Sequence, residues 1–243
     1  MDYFDFVRPT YIENWDPRLY GLSIAQVDLP LTRDEALRLG SNIGELGELF
    51  ERWVEPGRSL TDLEARLDAA VASFPSGAFV RLGSRSPKDS WLVYERGNRS
   101  YSGHDALALL TDCSERIADD LLLALDHDYE PHLFVRRFVE IPPWAEFRCF
   151  MQQRQLVGIS QYDYRVRHAE IAVQAVEIEA ALGDFFPCFR DASHLDDAVY
   201  DVFLDPTAET GVRLLELNPF FELTDPCLYD WAEDFDRGFR YLS

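Results

Sequence analysis

The sequence predicts an α+β protein built from two lobes of antiparallel sheet with helices packed against them. Three observations predict it. Two segments place apolar residues at helical spacing behind polar caps, and most strand-like runs follow one another closely enough to close hairpins. At 47% hydrophobic and 14% aromatic, the 243 residues also carry ample apolar area for a core. That length fits one large domain or two lobes, at roughly 100–200 residues per domain.

The first 30 residues are loop-like and aromatic (Tyr3, Phe4, Phe6, Tyr11, Trp15, Tyr20) and end in an expected strand at 22–29. Thr32 with Glu35, and Thr61 with Glu64, have capping-box spacing and each opens a helix. The second helix puts Leu63, Leu67, Ala70, Val71 and Phe74 on one face, and the Pro75, Ser76, Gly77 run stops it. A strand at 78–82, a polar loop at 83–90 and a short strand at 91–94 turning at Gly97 and Asn98 come next. Residues 104–125 read as two short helices. Strands are then expected at 133–139, 146–151 and 156–160, the last two closing a hairpin across the polar run 152–155. A helix over 166–182 and two further strands, 199–205 and 212–218, complete the chain. The expected organisation is an N-terminal region 1–76, a smaller lobe 77–131 and a larger lobe 132–243.

Asp and Glu number 44 against 23 Lys and Arg, a formal net charge of −21, which argues against a general nucleic-acid or anionic-membrane binder. The basic residues are arginines but for Lys88, a bias that points to a GC-rich coding sequence. The longest apolar run, at 121–125, is far short of the ~20 residues of a membrane span. Cys113, Cys149, Cys188 and Cys227 form no CxxC pair and read as reduced residues. With no signal peptide in the acidic N-terminus, the expected compartment is the cytoplasm. GxxxxGK[ST], GxGxxG and GxSxG patterns are absent, so any nucleotide must be held by side chains and metal.

The last hairpin carries the most chemistry. Glu216 and Asn218 share a strand face, and if Asp205 pairs with Val212 to close the six-residue loop, Asp201 lies across from Glu216. Opposed side chains have Cβ atoms about 4.5–5.5 Å apart, where two carboxylates repel unless a cation or proton sits between them. With the Asn218 carbonyl they form a hard-oxygen set suited to Mg²⁺; the plainer reading is a solvated hairpin face. From 78 to 102, Arg81, Arg85, Lys88, Arg96 and Arg99 outnumber Asp89 and Glu95, a local +3 that suits a polyphosphate or merely a solvated hairpin. Arg136, Arg137 and Arg148 lie in strands, where a buried guanidinium needs a carboxylate or an anion.

Five ordered segments then carry a resemblance: FVRLGSRSPKDSW at 79–91, LFVRRF at 133–138, EFRCF at 146–150, LVGISQYDY at 156–164 and LELNPFFELTD at 215–225, with YDW at 229–231. Together with the Asn14-Trp15 and 27–31 regions, they resemble the cell division cycle protein 123 family over nearly the whole chain, most tightly from Phe79 onward. The resemblance implies an ATP-grasp-like fold holding ATP·Mg²⁺ between two lobes. It also implies a protein partner, since eukaryotic members assemble translation initiation factor 2 by binding its GTPase-type subunit, whereas ATP-grasp enzymes at large ligate a carboxylate to a nucleophile on a protein, peptide or small acceptor. By position, Arg81 stands for the first phosphate-binding lysine, Arg136 and Arg137 for the pair beside the adenine, and Arg148 for the arginine facing the phosphates. Lys88 matches a position that is Lys or Arg, and Asp201, Glu216 and Asn218 match the three metal ligands. The sequence departs from the family at Arg81, at Glu216 (usually Asp), at Tyr162 (usually Arg) and at Phe221 (usually Gly). The expected function is that of an ATP-dependent ligase or modifying enzyme of unknown acceptor, with a non-enzymatic assembly factor as the alternative. No general base is identified, and catalytic residues stay unassigned.

Overall fold

The computed structural model describes residues 2–51, 53, 59–233 and 235–243. In chain order its elements are α1 (Tyr3–Val7), α2 (Pro17–Leu22), β1 (Gln26–Pro30), α3 (Arg33–Ser41), α4 (Thr61–Val71) and β2 (Ala78–Leu82). Then come α5 (Trp91–Arg96), α6 (Gly103–Thr111), α7 (Glu115–Asp126), β3 (His132–Arg137), β4 (Glu146–Gln152) and β5 (Gln155–Gln161). The chain ends with α8 (Ala169–Val173), α9 (Ala175–Ala192), β6 (Ala198–Leu204), β7 (Val212–Asn218) and β8 (Phe239–Arg240). Two compact units result: Ala25–Val139, and Met1–Ile24 together with Glu140–Ser243.

The division expected at 131/132 therefore falls at 139/140, because β3 joins the first unit. Its sheet has the order β1-β3-β2, antiparallel throughout. Side chains alternate across a strand, so Val27, Leu29, Val80, Leu82, Leu133 and Val135 share one face. That face meets apolar residues of α3, α4, α6 and α7, including Leu39, Leu67, Leu109 and Leu121, in one core. Arg81, Phe134 and Arg136 occupy the opposite face.

The Thr32–Glu35 capping box forms as expected: Thr32 Oγ1 accepts from the Glu35 N–H at 3.2 Å, and Glu35 Oε2 accepts from the Thr32 N–H at 2.9 Å. Arg66 Nη1 donates to Glu35 Oε1 at 2.5 Å. Burial pushes the Glu35 carboxyl upward, but the hydrogen bonds from Thr32 and Arg66 outweigh it and leave its pKa below the ordinary 4.5. A carboxylate with a depressed folded pKa stabilises above its unfolded pKa, and that contribution is lost as pH falls through the folded value. Glu35→Gln is therefore expected to lose less stability than wild type below about pH 4.5, measured by chemical denaturation along a pH series. Parallel acid limbs would show that Glu35 contributes nothing to the acid sensitivity.

Other elements depart from the expected pattern for local reasons. Thr61 is the first residue of α4 rather than its cap; Leu60 holds the N-cap position, and the Thr61 N–H donates to Ser59 Oγ at 3.1 Å. The strand expected at 91–94 is helix α5, whose start is fastened by Asp112: Oδ2 accepts from Ser90 Oγ at 2.8 Å and from the Leu92 N–H at 2.7 Å. Gly97, at φ 78°, ends it. The strand expected at 22–29 is shortened, because Asp16 caps α2 and carries helix up to Leu22. The helix expected over 166–182 starts later, breaks at Gln174 and runs on to Ala192.

The second unit carries the sheet β7-β6-β4-β5-β8, antiparallel except for a short parallel pairing of β8 with β5. Gln153 and Arg154, at φ 49° and 58°, make the tight β4–β5 turn. Helix α9 covers one face, where the Phe189 ring stacks on Tyr200 with centroids 3.9 Å apart. On the other face Phe150 packs in an aromatic cluster with Tyr229, Trp231 and Phe235 from the C-terminal segment. Tyr229 approaches so closely that a Cβ on Gly158 would lie 2.7 Å from its ring.

Candidate functional site

The expected facing of Asp201 and Glu216 is present, by a different register. Leu204 rather than Asp205 opposes Val212, so the pairing begins one residue out. A bulge then leaves Leu215 as the extra residue between the Val202–Leu214 and Asp201–Glu216 pairs. The two offsets cancel. Asp201 is opposed by Glu216 on β7 and, on its other side, by Arg148 on β4.

That second neighbour dominates the site. Arg148 Nε and Nη2 donate to the two Asp201 oxygens, each at 2.7 Å, a bidentate pair. Arg148 is 5% exposed and Asp201 1%. Arg148 Nη1 donates to the Asp225 carbonyl at 2.6 Å, and the guanidinium lies 5.1 Å from the Tyr162 ring centroid. Burial alone would pull the Arg148 pKa down; the Asp201 charge and its hydrogen bonds more than reverse that, so the guanidinium is held firmly cationic. Asn218 Nδ2 reaches Asp201 Oδ2 at 3.4 Å.

Asp225 belongs to a segment pinned by its own polar contacts. Thr224 Oγ1 donates to the Pro219 carbonyl at 2.7 Å, and Trp231 Nε1 donates to the Thr224 carbonyl, also at 2.7 Å. The aromatic motif after β7 thus positions a carbonyl against Arg148. Beside the pair lies a cavity of ≈ 280 Å³, whose walls include Arg148, Tyr162, Tyr164, Arg165, Asp225 and Cys227. Burial pushes the Cys227 thiol up to about 12, against the pull of the Arg148 charge, so it stays protonated near neutral pH and is a poor nucleophile.

Two carboxylates and an amide carbonyl suit a hard cation, and a carboxylate that accepts a bidentate arginine still has lone pairs to offer. The donor set therefore fits Mg²⁺ in chemistry. Among the described residues no group of three or more His, Cys, Asp and Glu gathers as a metal site, and this trio holds only two such residues.

In the first unit, Arg81 (3% exposed) and Arg136 (2%) share the sheet face opposite the helices, with Phe134 and Phe79 across the strands. Arg81 Nε donates to the Leu82 carbonyl at 2.9 Å and Nη2 to the Ser84 carbonyl at 3.2 Å, so this side chain braces the start of the polar loop. Arg137, adjacent in sequence, points to the other face. Lys88 is exposed on the loop, which Asp89 ties to α7: its oxygens accept from Ser114 Oγ at 2.5 Å and from the Arg116 N–H at 3.0 Å.

The local +3 is not a uniform basic patch. Arg85 pairs with Asp120 at 3.4 Å and Arg96 with Asp105 at 3.5 Å, acids that lie on α7 and α6. Arg99 donates to the Ser76 carbonyl and lies over the Phe138 and Tyr101 rings. The roles of Asp225, Asp89 and Asp112 were not visible in sequence, since each acts through a carbonyl or a cap distant along the chain; Tyr162 was marked only as a departure.

A family model described as D123 matches residues 47–237. The "Translation initiation factor eIF2 assembly protein" of Xenopus tropicalis is 26% identical over 253 residues, covering 90% of this chain and 75% of that protein. Its counterparts in Xenopus laevis (28%, 71% of this chain) and Candida albicans (24%, 72%) are matched over 53% and 54% of their own length, so this chain spans about half of those relatives. Among solved structures, Cdc123 from Schizosaccharomyces pombe superposes with a TM-score of 0.79 at 19% identity, covering 98% of this chain and 95% of that one. The fold is shared with that protein. No helix among the described residues is long and apolar enough to cross a membrane.

Proposed function

Because the chain belongs to the D123 family, we propose that it binds ATP with Mg²⁺ and in that state acts as an assembly factor for a GTPase-like translation protein. The observation that carries the reading is the row Arg148–Asp201–Glu216 across three neighbouring strands, a cation and two carboxylates on one sheet face with Asn218 beside them. Asp201, Glu216 and Asn218 would supply oxygens to the metal, which neutralises phosphate charge when bound. Arg148 would meet the phosphates. Of the first unit's candidates, Lys88 lies on the polar loop and Arg81 and Arg136 share a sheet face, whereas Arg137 points to the other, so Arg136 and Arg137 do not flank one base. The partner class comes from relatives whose names describe eIF2 assembly.

A second reading, an ATP-dependent ligase of a protein, peptide or small carboxylate, is favoured by the Glu216-Leu-Asn218 triplet. Product formation separates them: an assembly factor should leave ATP intact over many binding equilibria, whereas a ligase forms ADP or AMP with the right acceptor.

The nucleotide reading is tested by thermal shift with ATP and Mg²⁺. Ligand at about 100 times Kd should stabilise the native state by about 2.7 kcal/mol. Glu216→Gln is the informative variant, because Asp201 also neutralises Arg148. The shift is expected to shrink in Glu216→Gln; an equal shift would remove Glu216 from the metal site, and no shift in wild type would defeat the reading. Affinity capture with and without ATP then tests the partner.

A further inference from the structure

We propose that Arg148 is a positioning residue that occupies the Asp201 carboxylate in the resting chain, so that a divalent metal enters only when a polyanion draws the guanidinium away. Nucleotide and metal then bind together rather than metal first. This role presupposes that Asp201, Glu216 and Asn218 face the metal, and adds to that reading the order in which the site fills.

Three features carry it. Both Asp201 oxygens accept from Arg148 at 2.7 Å, so the carboxylate already has its counter-cation. Both groups are buried, which leaves little water to screen the repulsion between a fixed guanidinium and an arriving Mg²⁺ or Mn²⁺. Strand register imposes the arrangement: Asp201 is opposed by Arg148 and by Glu216 on its two sides, and a cation between the carboxylates would compete with the arginine for the same oxygens.

Arg148 also has somewhere to go. Its contacts to Asp201 and to the Asp225 carbonyl use three of its five N–H groups. The guanidinium also borders the cavity that Tyr162 and Arg165 help to line. A triphosphate presents several anionic oxygens in fork geometry and can outbid one carboxylate for a guanidinium. Once Arg148 turns to phosphate, Asp201 loses its bidentate counter-cation, and a metal can take the guanidinium's place at those oxygens.

The probe is Mn²⁺ alone, followed by the free-ion paramagnetic signal and by thermal shift. If the ion pair is formed in nine molecules of ten, it weakens apparent metal affinity about tenfold. Wild type should therefore bind Mn²⁺ alone at least tenfold more weakly than Arg148→Met, and Mn²⁺ should raise the melting temperature of Arg148→Met but not of wild type. Arg148→Lys, which keeps the charge, should restore exclusion of the metal, an outcome that a merely structural role would not produce. Wild type binding Mn²⁺ alone as tightly as Arg148→Met overturns the proposal. Should Arg148→Met fail to fold, tight Mn²⁺ binding by wild type or by Arg148→Lys would overturn it equally. ATP with Mn²⁺ that stabilises wild type while Mn²⁺ alone binds it just as well defeats only the role of Arg148. Absence of any ATP·Mn²⁺ effect on wild type, with metal binding gained in Arg148→Met, defeats the nucleotide reading instead.

Discussion

Asp201→Ala is expected to cost about 3–5 kcal/mol of folding stability in the absence of any ligand, because it leaves the Arg148 guanidinium buried without its carboxylate. Removing Arg148 instead, as Arg148→Met, takes the bidentate cation from Asp201, which is 1% exposed, and should cost a similar amount. The double variant Arg148→Met with Asp201→Leu removes both charges, and apolar pairs of matching volume are often as stable as the ion pair they replace. It is expected to be more stable than either single variant. Denaturant unfolding of wild type, Asp201→Leu, Arg148→Met and the double variant gives the coupling directly. Single variants within about 1 kcal/mol of wild type would mean that water reaches the pair and screens it, as at exposed ion pairs. The physical content is that this ion pair is not itself a large source of stability. Its retention in a sheet otherwise able to pack apolar side chains is understandable if the charges serve a ligand.

How much of this was legible in the sequence depends on how far apart the interacting residues lie. The β6–β7 hairpin was readable because its partners are consecutive and the two-residue period places Glu216 and Asn218 on one face. Yet the facing of Asp201 and Glu216 followed from a loop pairing that is off by one and a bulge at Leu215 that restores it. No local signal announces such a bulge. The bidentate contact to Asp201 comes from Arg148, 53 residues earlier, and β4 lies between β5 and β6 only because of tertiary packing. The same holds for α5, whose cap comes from Asp112. It holds again for β3, which pairs with β1 across roughly a hundred residues and carries Arg136 into the first unit. The local surplus of positive charge was real as arithmetic, but Asp105 and Asp120 on neighbouring helices offset much of it.

A pair of glycine substitutions should move stability in opposite directions. Gly103 opens α6 and Gly183 lies within α9, and neither requires a positive φ. Helix propensity alone favours alanine over glycine by about 1 kcal/mol in a helix interior. At Gly183 no atom lies within 4 Å of the position a Cβ would take, so Gly183→Ala should gain up to about 1 kcal/mol, mostly through the unfolded chain. At Gly103 the same methyl would sit 2.3 Å from the Glu64 carbonyl oxygen and 2.6 Å from the Asp68 nitrogen, both backbone atoms of α4. Neither can swing aside as a side chain could. The Gly103 N–H also donates to Asp68 Oδ1 at 2.5 Å, so α6 cannot retreat from α4 without stretching that bond. Overpacking of this kind costs about 1–3 kcal/mol, occasionally more, which outweighs the propensity gain. Gly103→Ala is thus expected to lower the denaturant midpoint and Gly183→Ala to raise it, with little change in the slope of either transition. A stabilised Gly103→Ala would mean that α4 and α6 are free to slide apart, and the close backbone approach that sets the helical layer over the β1-β3-β2 sheet would not be a constraint on the fold.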